Sequence, residues 1–190
     1  MRGKMSPKLR VGVVGLGMGK AHIRGYQSHP RVEVAALCDM DMERLDSAAK
    51  EFRIPQKFTD AKKMFQDADL DAVSIATPNK FHGPLTIAAF NAGLHVLCEK
   101  PMAMNSKEAE EMNNAAKKAG KNLMINFSFR FSESGYALKQ QIDAGVIGEI
   151  YFGRSVWLRR RGIPALGGWF CDKSLSGGGA LIDLGVHRLD

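Results

Sequence analysis

Three side chains that can move a proton or steady a developing charge stand out by position. Lys100 lies in Glu99-Lys100-Pro101, directly after the apolar run Leu94-His95-Val96-Leu97-Cys98. If that run is an inner strand of a parallel sheet, Lys100 is delivered to its carboxyl end, where open α/β sheets take their ligands. Much later in the chain, Asp183 and His187 stand at i and i+4, with Asp190 at i+7. On a helix all three would share one face. A carboxylate beside an imidazole raises its basicity and fixes its orientation, as a general acid/base working near neutral pH requires. Each feature also has a plainer reading. Lys-Pro occurs in solvated turns, Asp-x-x-x-His is a helix salt bridge, and Asp183, His187 and Asp190 are metal-ligand types. No further ligand cluster completes a metal site, so no metal is expected.

A second group has the chemistry of phosphate binding. Val11-Gly12-Val13-Val14-Gly15-Leu16-Gly17-Met18-Gly19 places a glycine-rich turn between an apolar run and a helical-period stretch. Glycines there let the backbone approach a pyrophosphate, which the following helix holds through its unpaired N–H groups and dipole. The predicted contacts are Gly15, Leu16, Gly17, Met18 and Gly19. Lys20 stands where the third glycine of Gly-x-Gly-x-x-Gly belongs, so either the turn is tighter or the third contact has moved. Asp39 lies 22 residues beyond Gly17, near the distance at which an acidic residue meets the adenine ribose hydroxyls. A carboxylate there repels a 2′-phosphate, which favours NAD over NADP, with NADP the alternative. Arg44 is either a solvated helix residue or one that swings in over adenine or a phosphate. Thr77 and Asn79, around Pro78, either cap the next helix or line the crevice beside the nicotinamide ribose, and His82 close by is either a surface or helix-start histidine or a further cofactor contact.

The formal charge of +7 on 190 residues invites an anionic partner. The basic residues are scattered among acidic ones, and Arg159-Arg160-Arg161 is the one compact cluster. Without interleaved aromatics this excludes nucleic acid as the expected partner and leaves a phosphate-bearing small molecule. Cys38, Cys98 and Cys171 are widely spaced and form no CxxC pair, so reduced thiols are expected. No secretory signal or membrane-length apolar run is present, and a cytoplasmic protein without membrane contact is expected.

The elements that must position these groups follow an alternating pattern of short apolar runs and helical-period stretches, the signature of βαβ units and a parallel sheet. Strands are predicted at 10–15, 32–38, 56–58, 72–76, 94–98 and 122–125, and helices at 20–28, 42–52, 61–67, 82–92 and 106–119. The fold class is therefore α/β: a doubly wound dinucleotide-binding domain over 1–126 and, over 127–190, the opening part of a second α+β domain. The second part is predicted to hold a helix over 132–144, a strand over 149–158, a Gly/Pro-rich loop over 162–168 and a helix from about Gly178.

The order of the glycine-rich turn, Asp39, Thr77-Pro78-Asn79 with His82, Glu99-Lys100-Pro101 and Gly178-Gly179-Ala180-Leu181-Ile182-Asp183-Leu184-Gly185-Val186-His187 resembles the glucose-fructose oxidoreductase and inositol dehydrogenase (Gfo/Idh/MocA) family, from about Leu9 to Asp190. The resemblance implies a Rossmann domain and NAD-dependent, reversible oxidation of a sugar or cyclitol hydroxyl. It implies that Glu99 and Lys100 lie at the nicotinamide, with a cis peptide before Pro101. Lys100 would orient the substrate oxygen, His187 would act as acid/base, and Asp183 would position His187 and bind a substrate hydroxyl. A full-length member would carry a second antiparallel sheet and form a homo-oligomer. The alternatives are a dinucleotide-dependent sensor, a cofactor-binding fragment, or NAD-assisted, redox-neutral glycoside cleavage. Arg130, Arg161 and Trp169 are candidate substrate contacts, because guanidinium holds carboxylate or phosphate and indole stacks on a sugar face.

Overall fold

The computed structural model describes residues 8–158, 160 and 167–190. Its sheet has six parallel strands in the order β3-β2-β1-β4-β5-β6, with β1 Leu9–Val14, β2 Val32–Cys38, β3 Gln56–Phe58, β4 Ala72–Ile75, β5 His95–Glu99 and β6 Leu123–Asn126. The helices are α1 Gly19–Gln27, α2 Met42–Phe52, α3 Ala61–Asp67, α4 His82–Asn91 and α5 Ser106–Ala119. The chain order reverses direction between β1 and β4, and that is where doubly wound sheets open their ligand crevice.

Strand alternation divides the core between the two faces. Val13, Val34 and Leu37 pack with Leu16, Ile23, Leu45, Ala48 and Phe52 beneath α1 and α2. Val14, Ala36, Cys38, Val73, Ile75, Val96 and Cys98 pack with Met64, Phe65, Ala89, Phe90 and Met112 beneath α3, α4 and α5. Burial pushes the thiols of Cys38 and Cys98 up to about 12, so they behave as small apolar groups. The helices begin where a short polar side chain can accept an orphan N–H. Asp41 accepts from Arg44, Asp60 from Lys62, and Asn105 from Glu108.

Beyond β6 the chain forms α6 Glu133–Asp143, capped by Ser132 and followed by Gly145 in the left-handed region. A short α7, Lys173–Ser176, follows later, then a π-helical turn Leu181–Gly185 running into α8 Val186–Leu189. The strand expected over 149–158 is not formed. Among the described residues that stretch pairs with no other strand, and without a ladder partner its backbone has no strand geometry to adopt. Among the described residues no helix is long and apolar enough to cross a membrane.

Phe90, 2% exposed, is among the largest buried side chains. Phe90→Ala is expected to cost about 3–5 kcal/mol. Urea unfolding followed by circular dichroism checks this, and a loss below about 1 kcal/mol would contradict the assignment of Phe90 to the core.

Candidate active site

At the crevice, Gly15 turns with φ +85°, and a Cβ there would lie 2.5 Å from the Ala76 carbonyl oxygen. Only glycine lets the first strand's loop pass so close to the loop after β4. A Cβ on Gly17 would meet nothing within 4 Å, so this residue faces open space. Gly19 opens α1, and a Cβ there would meet Val13 at 2.8 Å. It therefore does the close-packing work of the third glycine one residue early, and Lys20 is turned outward onto Glu51 at 2.8 Å. Unlike α2, α3, α5, α6 and α7, α1 has no capping side chain at its amino end, and unlike α2, α5 and α6 it has no acidic residue in its first turn. Its N–H groups and dipole are left for an anion. The buried Thr77 hydroxyl also has no partner. These features fit the phosphates and ribose of a dinucleotide.

Asp39 is 7% exposed and accepts from the Leu16 N–H at 2.8 Å and the Asp41 N–H at 3.0 Å. It braces the glycine-rich turn. Arg44 is an exposed residue of the first turn of α2, and its guanidinium reaches back to Asp39 at 3.2 Å and Asp41 at 3.1 Å.

Two expected crevice residues hold the frame instead. Asn79 neither caps α4 nor lines the crevice: it is 3% exposed and donates to the Ser176 carbonyl at 2.7 Å, tying the sheet domain to the segment before the second glycine run. His82 is fully buried, with Nδ1 2.7 Å from the Pro101 carbonyl and Nε2 2.9 Å from the Thr77 carbonyl. It spans two crevice loops rather than facing a ligand. Burial pushes His82 below the ordinary imidazole range; the two carbonyls pull the other way and are outweighed.

Lys100 precedes a cis peptide to Pro101. Its Nζ donates to the Asp183 carboxylate at 2.6 Å and to the Asp183 carbonyl at 2.8 Å. Glu99, expected at the cofactor, points inward because three donors hold it there: His22 Nε2 at 2.8 Å, Asn126 Nδ2 at 2.7 Å and the Lys100 N–H at 3.2 Å. Burial alone would raise its pKa, yet His22 and Asn126 bring it below the usual carboxylate range.

The expected Asp183–His187 face is altered by the π-helical turn over Leu181–Gly185, whose wider winding breaks the i,i+4 stacking of a regular α-helix. Asp183 turns to Lys100, and His187 packs by Phe129 and Phe127 at centroid distances of 4.6 and 6.2 Å. Burial, and next the nearby Lys100 charge, lower the His187 pKa, with Asp183 and Glu99 opposing. Its Nδ1 is buried without a partner. Asp190 is drawn away by Arg130, which donates to it from Nε at 2.6 Å. The Arg130 fork is thus paired with the Asp190 carboxylate at the exposed edge of this segment. Trp169 stacks on Phe170 with centroids 3.8 Å apart. Arg161 lies outside the described residues.

Sequence reasoning missed His22, Tyr26, Ser74 and Asn126. The available signals were a hydroxyl inside the apolar strand Ala72-Val73-Ser74-Ile75 and the i,i+4 pair His22 and Tyr26 on α1.

Residues 9–127 match the oxidoreductase family profile with NAD-binding Rossmann fold, and residues 136–190 match the Gfo/Idh/MocA C-terminal domain. The chain belongs to the Gfo/Idh/MocA oxidoreductase family, and its parallel-sheet part is an NAD-binding Rossmann domain. It is 39% identical to D-glucoside 3-dehydrogenase of Escherichia coli K12 over 189 residues, 97% of this chain and 53% of that protein. A levoglucosan dehydrogenase solved with NADH and levoglucosan superposes with a TM-score of 0.83 at 30% identity, covering 95% of this chain and 52% of the other. The scyllo-inositol dehydrogenase of Lactobacillus casei, solved with NAD(H) and scyllo-inositol, gives 0.72 at 32% identity over 75% of this chain and 43% of the other. The chain spans about half the length of the curated relatives it matches.

Gly15→Ala is expected to destabilise the fold by about 1–3 kcal/mol, because it combines left-handed strain with the Ala76 contact. Gly17→Ala, with open space around it, is expected to stay within about 1 kcal/mol of the parent. Thermal unfolding of the two variants checks this, and equal losses would contradict the close approach at Gly15.

Proposed function

We propose that this chain carries the cofactor-binding and proton-transfer machinery of an NAD-dependent dehydrogenase acting on a sugar or cyclitol CH–OH group. The observation that carries the reading is Lys100 Nζ held at 2.6 Å by Asp183 at the carboxyl end of β5, with His187 on the same segment as Asp183. Bound NAD supplies the hydride acceptor. The chain's residues then divide the remaining work. The uncapped end of α1 and the turn over Gly15, Leu16, Gly17, Met18 and Gly19 hold the pyrophosphate, with Asp39 behind that turn and on the adenine-ribose side. Thr77 offers its hydroxyl to the cofactor, and Pro78 shapes that loop.

Lys100 presents an ammonium N–H to the carbinol oxygen and steadies the negative charge that grows there as the proton leaves. Asp183 keeps that ammonium in place and offers its second oxygen to a neighbouring substrate hydroxyl. His187, kept neutral by its apolar surroundings and the Lys100 charge, takes the carbinol proton. A base with a lowered pKa is in its working form over a wider pH range. Phe127 and Phe129 exclude water from its ring. Trp169, stacked on Phe170, forms part of the substrate wall.

The reading predicts NADH formation, seen as new absorbance, when the chain is mixed with NAD and a panel of glucosides, anhydrosugars and inositols. NAD binding without turnover of any of them would contradict it and favour a sensor. His187→Ala is expected to lower kcat by about 10²–10⁴-fold while leaving NAD affinity unchanged. In the oxidative direction the rate should rise with pH through an apparent pKa below the ordinary 6.5 of imidazole, because the proton-accepting form is the neutral one. A midpoint above that value would remove His187 from the role.

A further inference from the structure

Behind Lys100 lies a polar network inside the apolar sheet. Glu99 Oε1 accepts from His22 Nε2 at 2.8 Å and from Asn126 Nδ2 at 2.7 Å, and Glu99 Oε2 accepts from the Lys100 N–H at 3.2 Å. His22 Nδ1 lies 3.1 Å from Ser74 Oγ, which lies 2.6 Å from the Tyr26 hydroxyl. The His22 and Glu99 side chains are only 6% and 12% exposed, and Ser74 is fully buried. The members come from α1, β4, β5 and β6, so the network fastens four elements at one point.

The proton directions follow from the acceptors. An ionised Glu99 only accepts, so His22 must carry its hydrogen on Nε2. With a neutral ring, Ser74 donates to Nδ1 and Tyr26 donates to Ser74, which satisfies every group in the chain. A buried carboxylate held this fully is costly to disturb, and nothing in the packing of the core requires one. Its second oxygen touches the backbone of the residue whose side chain faces Asp183. His22, for its part, rides on the helix whose amino end is open to an anion.

We infer that His22 is a positioning residue for Lys100: by donating to Glu99 it locks the carboxylate that holds the Lys100 backbone, and so keeps the ammonium in register with the cofactor-binding helix α1. Neither His22 nor Glu99 touches substrate. His22 fixes the acceptor, the acceptor fixes the main chain, and the main chain fixes the reactive nitrogen. Displacing a reacting group by about 1 Å from outside the chemistry can cost about 100-fold in rate.

The test compares His22→Leu, which fills the space without a donor, with His22→Gln, which keeps a donor near the Nε2 position. In the whole chain without substrate, the Lys100 amide resonance is expected to move in the Leu variant and return towards the parent in the Gln variant. An unmoved amide, or equal displacement in both variants, overturns the inference. In the parent, the His22 Nε2–H is expected as a signal protected from solvent exchange; an unprotonated Nε2 overturns it even if a variant fails to fold. The kinetic arm rests on the dehydrogenase reading. There kcat should fall about 100-fold for the Leu variant at nearly constant NAD affinity, with recovery to within about tenfold of the parent for the Gln variant. Unchanged kcat for the Leu variant overturns the positioning role. Absence of turnover in the parent would refute the dehydrogenase reading while the amide arm still decides this one.

Discussion

An ammonium and a carboxylate 2.6 Å apart, from residues separated by 83 positions, join the nucleotide-binding sheet to the segment that bears His187. The Lys100 and Asp183 side chains are 17% and 22% exposed, so neither is screened as a surface pair would be. Each depends on the other, because removing one leaves a charge in a poorly solvated place. The sheet delivers Lys100 to the end of β5, and the π-helical turn delivers Asp183. Asn79 reinforces the junction from below through the Ser176 carbonyl at 2.7 Å.

Charges alternate outward from the sheet: Glu99, then Lys100, then Asp183, with His187 to one side. Glu99 stays ionised in spite of burial because His22, Asn126 and a backbone N–H serve it. Lys100 has one carboxylate behind its backbone and another at its tip, and its own charge helps to hold His187 below the ordinary imidazole range. In the proposed reaction, an imidazole held neutral beside a fixed cation suits removal of a proton from an oxygen that the cation would also contact. His82, buried between the Thr77 and Pro101 carbonyls, keeps the two crevice loops at a set spacing.

Much of this was legible in the sequence. Every strand and helix of the parallel-sheet domain follows from the alternation of short apolar runs with period-3.6 stretches, since burial on both faces leaves a strand continuously apolar between polar caps and glycines. The family was equally legible, because Gly15, Lys100, Asp183 and His187 keep a fixed order. Long-range pairing was not. Nothing local says that Asn79 reaches Ser176, that Arg130 takes Asp190, or that Ser74 meets His22 across 52 positions. The i,i+4 rule placed Asp183 beside His187, but it could not foresee the π-helical winding of Leu181–Gly185 or the pairing of the Asp183 carboxylate with Lys100. The predicted strand over 149–158 had the right residue types, but strand geometry needs a partner that propensity cannot supply.

The most direct test of the junction is a double-mutant cycle on unfolding free energy with Lys100→Met, Asp183→Asn and the pair. If Lys100 and Asp183 join the sheet domain to the segment that bears His187, the two losses are non-additive, with a coupling of about 0.5–3 kcal/mol. Losses that add to within about 0.3 kcal/mol would contradict the account.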